Sequence, residues 1–340
     1  MANPTSRETA PRETVLVTGG AGYIGSHVVL ALRDAGRAVV VVDDLSTGRR
    51  AAVPDGVPLV VGSAGDAELV AATIAAHGVG TVMHFAGSIV VPESVEKPLD
   101  YYRNNTVNSL ALVGACVASG VERFIFSSTA AVYGMPDAMP IDEEAPTRPI
   151  NPYGRSKLMT EWMLRDTAAA HGLRYVALRY FNVAGADPAG RSGQSSRLAT
   201  HLLKIAAQAA TGQRAEIQVY GDDYPTPDGT CVRDYIHVSD LAAAHVAALV
   251  HLEAGGDSQT LNCGYGRGYS VREVLDMVET VLGRPLPVRT AGRRAGDPPA
   301  LVAGTERIGR TLDWTPRHAD LETIVRTALA WEEKLVVAVP

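Results

Sequence analysis

The feature that most limits what this chain can become is the run Gly19-Gly20-Ala21-Gly22-Tyr23-Ile24-Gly25, set directly behind the compact apolar stretch Val15 to Val17. Glycine permits a tight strand-to-helix turn and lets backbone N–H groups approach a pyrophosphate at the helix N-terminus. The run reads as G-x-x-G-x-x-G or, from Gly20, as G-x-G-x-x-G. Alone it is a weak sign, because glycine turns also occur for purely structural reasons. Its surroundings strengthen it. A helix-like stretch, Ile24 to Ala35, follows and is closed by Gly36, and Asp43 stands at the end of the next strand, Val39 to Val42. That acid lies 18 positions beyond Gly25, near the place where a carboxylate binds the adenosine ribose hydroxyls. A carboxylate there repels a 2′-phosphate, so NAD is expected over NADP. Arg49 and Arg50 close behind read as a solvated loop.

From Thr14 onward, apolar strands alternate with helix-like stretches. Leu59 to Val61, Thr81 to His84 and Phe124 to Phe126 continue the strand series, with helices expected over Ala67–His77 and Thr106–Ser119. Continuous apolar strands separated by helices indicate a parallel sheet covered on both faces, the doubly wound α/β fold. After Tyr180 the character changes, and Pro, Gly and Asp become frequent (GADPAGRSGQ, GDDYPTPDG, RPLPV, AGDPPA). Such a region suits a smaller α/β lobe whose loops grip a substrate over the first domain. The expected division is a floppy tail over 1–13, a Rossmann-like NAD-binding domain over 14–182 carrying the catalytic residues, and a substrate lobe over 183–340. Some exchange of chain between the two is expected, and helix-like Ala319 to Lys334 closes the sequence.

Two further segments carry chemistry. Ser127-Ser128-Thr129-Ala130-Ala131-Val132-Tyr133-Gly134 follows the strand Phe124 to Phe126, at a carboxyl end where active groups of such sheets sit. Tyr153-Gly154-Arg155-Ser156-Lys157 opens a helix, and its Tyr and Lys fall on one face, a turn apart. A free phenol has a pKa near 10, so its phenolate lies about 4 kcal/mol uphill at neutral pH. A fixed ammonium and a positive nicotinamide ring both lower that cost. Such a tyrosine can take a proton from a sugar hydroxyl while the nicotinamide takes a hydride, with Thr129 orienting the same oxygen. Y-x-x-x-K alone arises by chance in many exposed helices; joined to the glycine fingerprint and the Thr129 segment, in this order, it does not.

These features together resemble the extended short-chain dehydrogenase/reductase superfamily. Longer segments narrow the likeness: VLVTGGAGYIGSH, HFAGSIVVPESVEKPLDYYRNN, FIFSSTAAVYG, PYGRSKLMTEWML, LRYFNVAGADPAG, GDDYPTPDGTCVRDYIHVSDLA and RRAGDPPALVA resemble the UDP-glucose 4-epimerase family, from about Thr14 to the end. The likeness implies a reversible epimerisation of UDP-galactose and UDP-glucose at carbon 4, through a transient 4-keto sugar, with tightly bound NAD. It implies Thr129, Tyr153 and Lys157 as catalytic residues. For NAD it points to Gly19, Gly22, Tyr23, Ile24 and Gly25, to Asp43, Asp44 and Leu45, and to Phe85, Ala86 and Gly87. Asn104, Ser127, Tyr153, Lys157 and Tyr180 complete that set. For the UDP-sugar it points to Thr129, Tyr153, Asn182, His201, Tyr220, Arg233, Arg294 and Asp297; two guanidinium groups suit a diphosphate. Read as plain structure, Arg233 with Asp234 and Arg294 with Asp297 are ordinary ion pairs.

Two rivals share parts of the pattern. A 4,6-dehydratase usually carries an acid behind the threonine, where this chain has Ala130 and Ala131. A non-catalytic NAD-binding sensor usually loses the Tyr or the Lys, and both are present. The chain departs from the family pattern at Ile89, where a lysine often stands, at Ser63, where an aspartate often stands near the adenine, and at His201, often asparagine. The resemblance implies that the side-chain size at Leu301 decides whether N-acetylated sugars fit; leucine is intermediate, so a 4-epimerase acting on UDP-N-acetylhexosamines or another UDP-sugar is the alternative reading.

Composition sets the outer limits. Hydrophobic residues at 46% and charged residues at 20% exclude a disordered or fibrous chain. A net charge of −6 offers no general attraction for nucleic acid. Cys116, Cys231 and Cys263 are scattered, without metal-ligand spacing, and read as buried thiols in a reducing compartment; no metal is expected. The polar start MANPTSRETAPRE lacks the apolar core of a secretion signal, and no stretch is apolar for long enough to span a bilayer, so the expected location is cytoplasmic. Family resemblance implies a homodimer, through helices beginning near Asn104 and Tyr153.

Overall fold

The computed structural model describes residues 13–195, 200–294 and 296–337; apart from Glu13, the expected tail lies outside them. Strands β1 (Thr14–Thr18), β2 (Val39–Asp43) and β3 (Leu59–Val61) are separated by helices α1 (Tyr23–Asp34) and then a short helical turn, Arg50–Ala52. Helix α2 (Ala67–His77) leads to β4 (Val79–His84), and α3 (Val91–Glu96), α4 (Pro98–Tyr101) and α5 (Asn108–Ala118) lead to β5 (Arg123–Thr129). Helix α6 (Pro152–His171) then returns the chain to β6 (Arg174–Tyr180).

The C-terminal half continues with β7 (Asn182–Ala184), α7 (Leu202–Ala210), β8 (Ile217–Tyr220), β9 (Val232–His237), α8 (Val238–Glu253) and β10 (Gln259–Cys263). It closes with β11 (Gly268–Ser270), α9 (Val271–Leu282), β12 (Val288–Ala291), β13 (Ala300–Leu301), α10 (Glu306–Thr311) and α11 (Leu321–Val337).

Seven strands form one parallel sheet in the order β10-β6-β5-β4-β1-β2-β3. Central strands such as β2, VVVVD, and β5, RFIFSST, are buried along their whole length, as a sheet covered on both faces demands. Side chains alternate between two cores. Val15, Val17 and Ile125 face α1 and α8 (Val28, Leu32, Leu241, Leu252), and Leu16, Phe124 and Phe126 face α2, α5 and α6 (Val70, Leu112, Leu164). The strand order reverses between β1 and β4, which opens a crevice above their carboxyl ends.

The last sheet strand, β10, and the helix α8 come from beyond residue 183, so the C-terminal half helps to build the main layer. The rest of that half packs α7, α9 and α11 around Leu203, Ile217, Val274 and Ile324. A small sheet joins β9 to β11, β13 and β7, while β8 pairs with β12. Helix α9 begins at a capping box in which Ser270 and Glu273 satisfy each other's backbone N–H groups.

One expected helix differs. Residues Tyr102–Val107 are wound as a π-helix, and regular α-helix starts only at Asn108. Adjacent residues of an α-helix do not face the same way. The wider turn lets both Asn104 and Asn105 reach Ser88, which the 3.6-residue period does not foresee.

Candidate active site

The glycine turn sits at the mouth of the crevice. Gly19 has φ +71°, and a Cβ there would meet the Ala86 backbone nitrogen at 2.6 Å. At Gly25 a Cβ would lie 2.2 Å from the Gly19 carbonyl oxygen, so only glycine lets α1 come this close to β1. Gly22 caps α1 without a side-chain bond, and no acid stands in the first turn. Tyr23 and Ile24 open the helix, and its first N–H groups are left to an anion. Asp43 ends β2 with each carboxylate oxygen holding one N–H, Oδ2 from Ala21 at 2.9 Å and Oδ1 from Leu45 at 2.8 Å. The remaining lone pairs can accept two ribose hydroxyls. Burial pushes the Asp43 carboxyl up, and the two N–H donors pull it back. Asp44 turns aside to Ser46, and Leu45 takes a left-handed backbone, φ 59°. This donor set, and the space that only glycine leaves, fit a dinucleotide.

Deeper along the crevice, Phe85, Ala86 and Gly87 leave β4 against the glycine turn. The next residue, Ser88, is clamped: Asn104 donates to its hydroxyl (2.9 Å), and Asn105 takes its N–H (2.7 Å) and donates to its carbonyl (2.9 Å). Asn105 also donates to Ser156, which lies between Tyr153 and Lys157 on α6. Neither Asn105 nor Ser156 is marked out by the sequence reading; the pair Asn-Asn before a helix is the one signal for the first. Ile89 is exposed, and Ser63 binds its own loop through Gly65 N–H rather than reaching outward.

The catalytic candidates converge. Asn151 caps α6, accepting the Gly154 N–H at 2.8 Å, and presents Tyr153 in the first turn. Burial raises the Tyr153 phenol, and the neighbouring Thr129 hydroxyl offsets part of the rise. One turn on, the Lys157 ammonium donates to the Ser127 carbonyl at 3.1 Å and lies 4.9 Å from the centre of the Phe126 ring. Among the described residues it forms no ion pair, and burial lowers its pKa to about 8. Ser127 Oγ and the Tyr180 hydroxyl share a 2.6 Å hydrogen bond on the strand edge above. Behind Thr129, Ala130–Val132 make a helical turn with no titratable side chain.

The other candidates form a second group on the C-terminal half. Asn182 and His201 line one cavity together with Tyr23, whose hydroxyl donates to the Gly185 carbonyl at 2.7 Å and so links the two groups. His201 precedes α7 and contacts Gln194, and burial lowers its pKa. Arg233, half-buried on β9, is in register with Leu301 on β13. It does not pair with Asp234: that carboxylate accepts N–H groups from Tyr265, Gly266 and Ala303, and Arg233 donates to the Val232 carbonyl. Arg294 does pair with Asp297 (2.9 Å) and lies 4.6 Å from the Tyr220 ring centre, at an exposed edge.

The sequence pattern of the NAD dependent epimerase/dehydratase family matches residues 15–264, from β1 through the last strand of the main sheet. This chain belongs to the NAD dependent epimerase/dehydratase family. Within that family, it is 64% identical over 328 residues to UDP-glucose 4-epimerase of Azospirillum brasilense, covering 96% of this chain and 94% of that one. The crystal structure of UDP-glucose 4-epimerase from Brucella ovis in complex with NAD superposes with a TM-score of 0.91 at 48% identity, covering 94% and 98% of the two chains. A UDP-glucose-4-epimerase from Stenotrophomonas maltophila, with bound NAD and formylated UDP-arabinopyranose, gives 0.93 at 40% identity, covering 96% and 99%. The epimerase/dehydratase fold therefore extends over nearly the whole chain, including the C-terminal half that the family pattern does not span.

Proposed function

We propose that this chain interconverts UDP-galactose and UDP-glucose at carbon 4, keeping its NAD throughout the cycle. The observation that carries the reading is the buried assembly of Tyr153, Thr129 and Lys157 beside the glycine turn. The A. brasilense enzyme, named UDP-glucose 4-epimerase, supports the choice of reaction. When bound, NAD supplies the hydride acceptor and donor. Tyr153 takes the proton from the 4-hydroxyl, Thr129 holds that oxygen, and the Lys157 ammonium stabilises the phenolate. Asn182, His201, Tyr220, Arg233, Arg294 and Asp297 hold the UDP group, so the 4-keto sugar can turn about its phosphate linkage and present its other face. Tyr153 then returns the proton, and the centre is inverted. Residues 14–182 carry the NAD site in this reading and 183–340 the UDP-sugar lobe. Ala130 and Ala131, behind Thr129, argue against a dehydratase, which needs an acid there to eliminate water.

The chain is proposed to work as a homodimer, through the apolar residues that α5 and α6 leave exposed, Leu110 and Trp162 among them. A cytoplasmic setting is supported by its cysteines, all three free and buried. Among the described residues no helix is long and apolar enough to cross a membrane.

The test is to incubate purified protein with UDP-galactose, without added NAD, and follow UDP-glucose by NMR. Conversion is expected, with Tyr153→Phe slower by about 10²–10⁴-fold. No conversion, even after NAD is supplied, overturns the reading. UDP-N-acetylgalactosamine in a parallel reaction reports what Leu301 admits.

A further inference from the structure

Below the catalytic pair, the same face of α6 carries a third residue. Tyr153, Lys157 and Glu161 stand at i, i+4 and i+8, and Glu161 is 5% exposed. Its carboxylate grips the two strands that the active site hangs from. Ser128 Oγ donates to Oε1 at 2.5 Å, and Arg179 donates through Nε to Oε1 at 3.0 Å and through Nη2 to Oε2 at 2.6 Å. Ser128 and Arg179 are register partners on β5 and β6. Their side chains face α6, whereas those of Ser127 and Tyr180 meet each other on the other side. Glu161 thus holds the strand one residue from Thr129 and one residue from the carbonyl that Lys157 binds.

The grip continues past Thr129. Arg179 Nη1 donates to the Tyr133 hydroxyl at 2.9 Å, with the guanidinium 4.9 Å from that ring's centre, and Tyr133 donates to Asn262 at 2.7 Å. Thr129 is therefore bracketed by two residues, Ser128 and Tyr133, that answer to one ion pair. A buried ion pair contributes little net stability over an apolar replacement, because desolvation offsets the attraction. What it does supply is direction: a chain of charge-assisted and neutral bonds with fixed geometry among side chains that are all buried.

We infer that Glu161, acting through Ser128 and Arg179, is a positioning residue that sets the placement of Tyr153 and Lys157 against Thr129. This rests on the epimerase reading for its kinetic consequence only. A displacement of about 1 Å between reacting groups can cost about a hundredfold in rate. Removing the Ser128 bond loosens one of the two strands while the Glu161–Arg179 pair stays intact, so the fold is kept.

The experiment compares the NAD-loaded wild type with Ser128→Ala and Glu161→Gln, kcat being expressed per NAD-loaded site. A second readout is the Tyr153 phenolate absorbance, taken as each protein minus its Tyr153→Phe counterpart across pH. Tyr153 is faced by Lys157 on its own helix, by Thr129 on β5, and by Tyr101 and Tyr180, so a change in placement alters that titration. Ser128→Ala is expected to lower kcat about tenfold at unchanged KM and NAD content, and to move the phenolate titration by about half a pH unit. Glu161→Gln is expected to do both more strongly; where it does not fold, Ser128→Ala decides. A purely structural role lowers Tm and leaves kcat per site within twofold and the titration in place, and that result overturns the inference. If the wild type does not convert UDP-galactose, the epimerase reading fails, and the phenolate titration still decides the positioning.

Discussion

Lys157 places an ammonium against Phe126 and the Ser127 carbonyl with 4% of its surface exposed and, among the described residues, no carboxylate beside it. Its pKa falls from 10.5 to about 8. Between these two values the unfolded chain binds more protons than the folded one, so stability rises with pH across that window. Below pH 8 both states are charged and the folded state carries the whole burial penalty, about 3 kcal/mol for a shift of this size. The bond to Ser127, about 1 kcal/mol, and the ring contact offset part of it. Lys157→Met in the NAD-free protein is therefore expected to gain about 1–2 kcal/mol at pH 7 and to lose that advantage by pH 10.5, while activity collapses. Urea unfolding at the two pH values measures it, and a variant less stable than the wild type at pH 7 refutes the account. A cation kept at such a cost fits the role proposed for it beside Tyr153.

The elements that carry the site differ in how far the sequence discloses them. Strands β1, β2 and β5 and the helix after the glycine turn are legible, because continuous apolar runs and glycine spacing are local signals. So are Asp43, Thr129, Tyr153 and Lys157, which sit at strand ends or one helical turn apart. The π-helix at Tyr102–Val107 is not, since it answers to Ser88 on another element. Glu161 had a local signal, the i+4 step beyond Lys157, but its meaning depends on Arg179 across the sheet. The same reasoning makes Asn151 matter more than a loop residue would. Its side chain caps α6 two residues before Tyr153. Asn151→Ala is expected to cost about 1 kcal/mol of stability and, by fraying the first turn, to lower kcat several-fold. Asn151→Ser, which can cap in the same way, should restore both. Thermal unfolding and UDP-galactose turnover on the three proteins check this, and unaltered kcat in the alanine variant rules it out.

At the scale of the whole molecule, the helices that cover one face of the main sheet carry apolar side chains on their own outer surface. Leu99 is 74% exposed, Val95 63%, Leu110 57%, Val107 55% and Trp162 46%. They come from α3, α4, the π-helix, α5 and α6, which pack on one another. Single apolar side chains on a surface need no explanation; five from adjoining elements do. A self-complementary contact about a two-fold axis would bury them with no change to the chain, at most weakly opposed by the net charge of −6. Such a contact would rest on α6, the helix that holds Tyr153 and Lys157, and would link association to site geometry. The wild type is expected to sediment as a dimer, and Leu110→Glu with Trp162→Glu as a monomer, since each buried carboxylate would stand unpaired at the centre of the face. The monomer should unfold at lower temperature, because α5 and α6 lose their cover. A wild type that sediments as a monomer, or a double variant that stays dimeric, would show that the partner surface lies elsewhere.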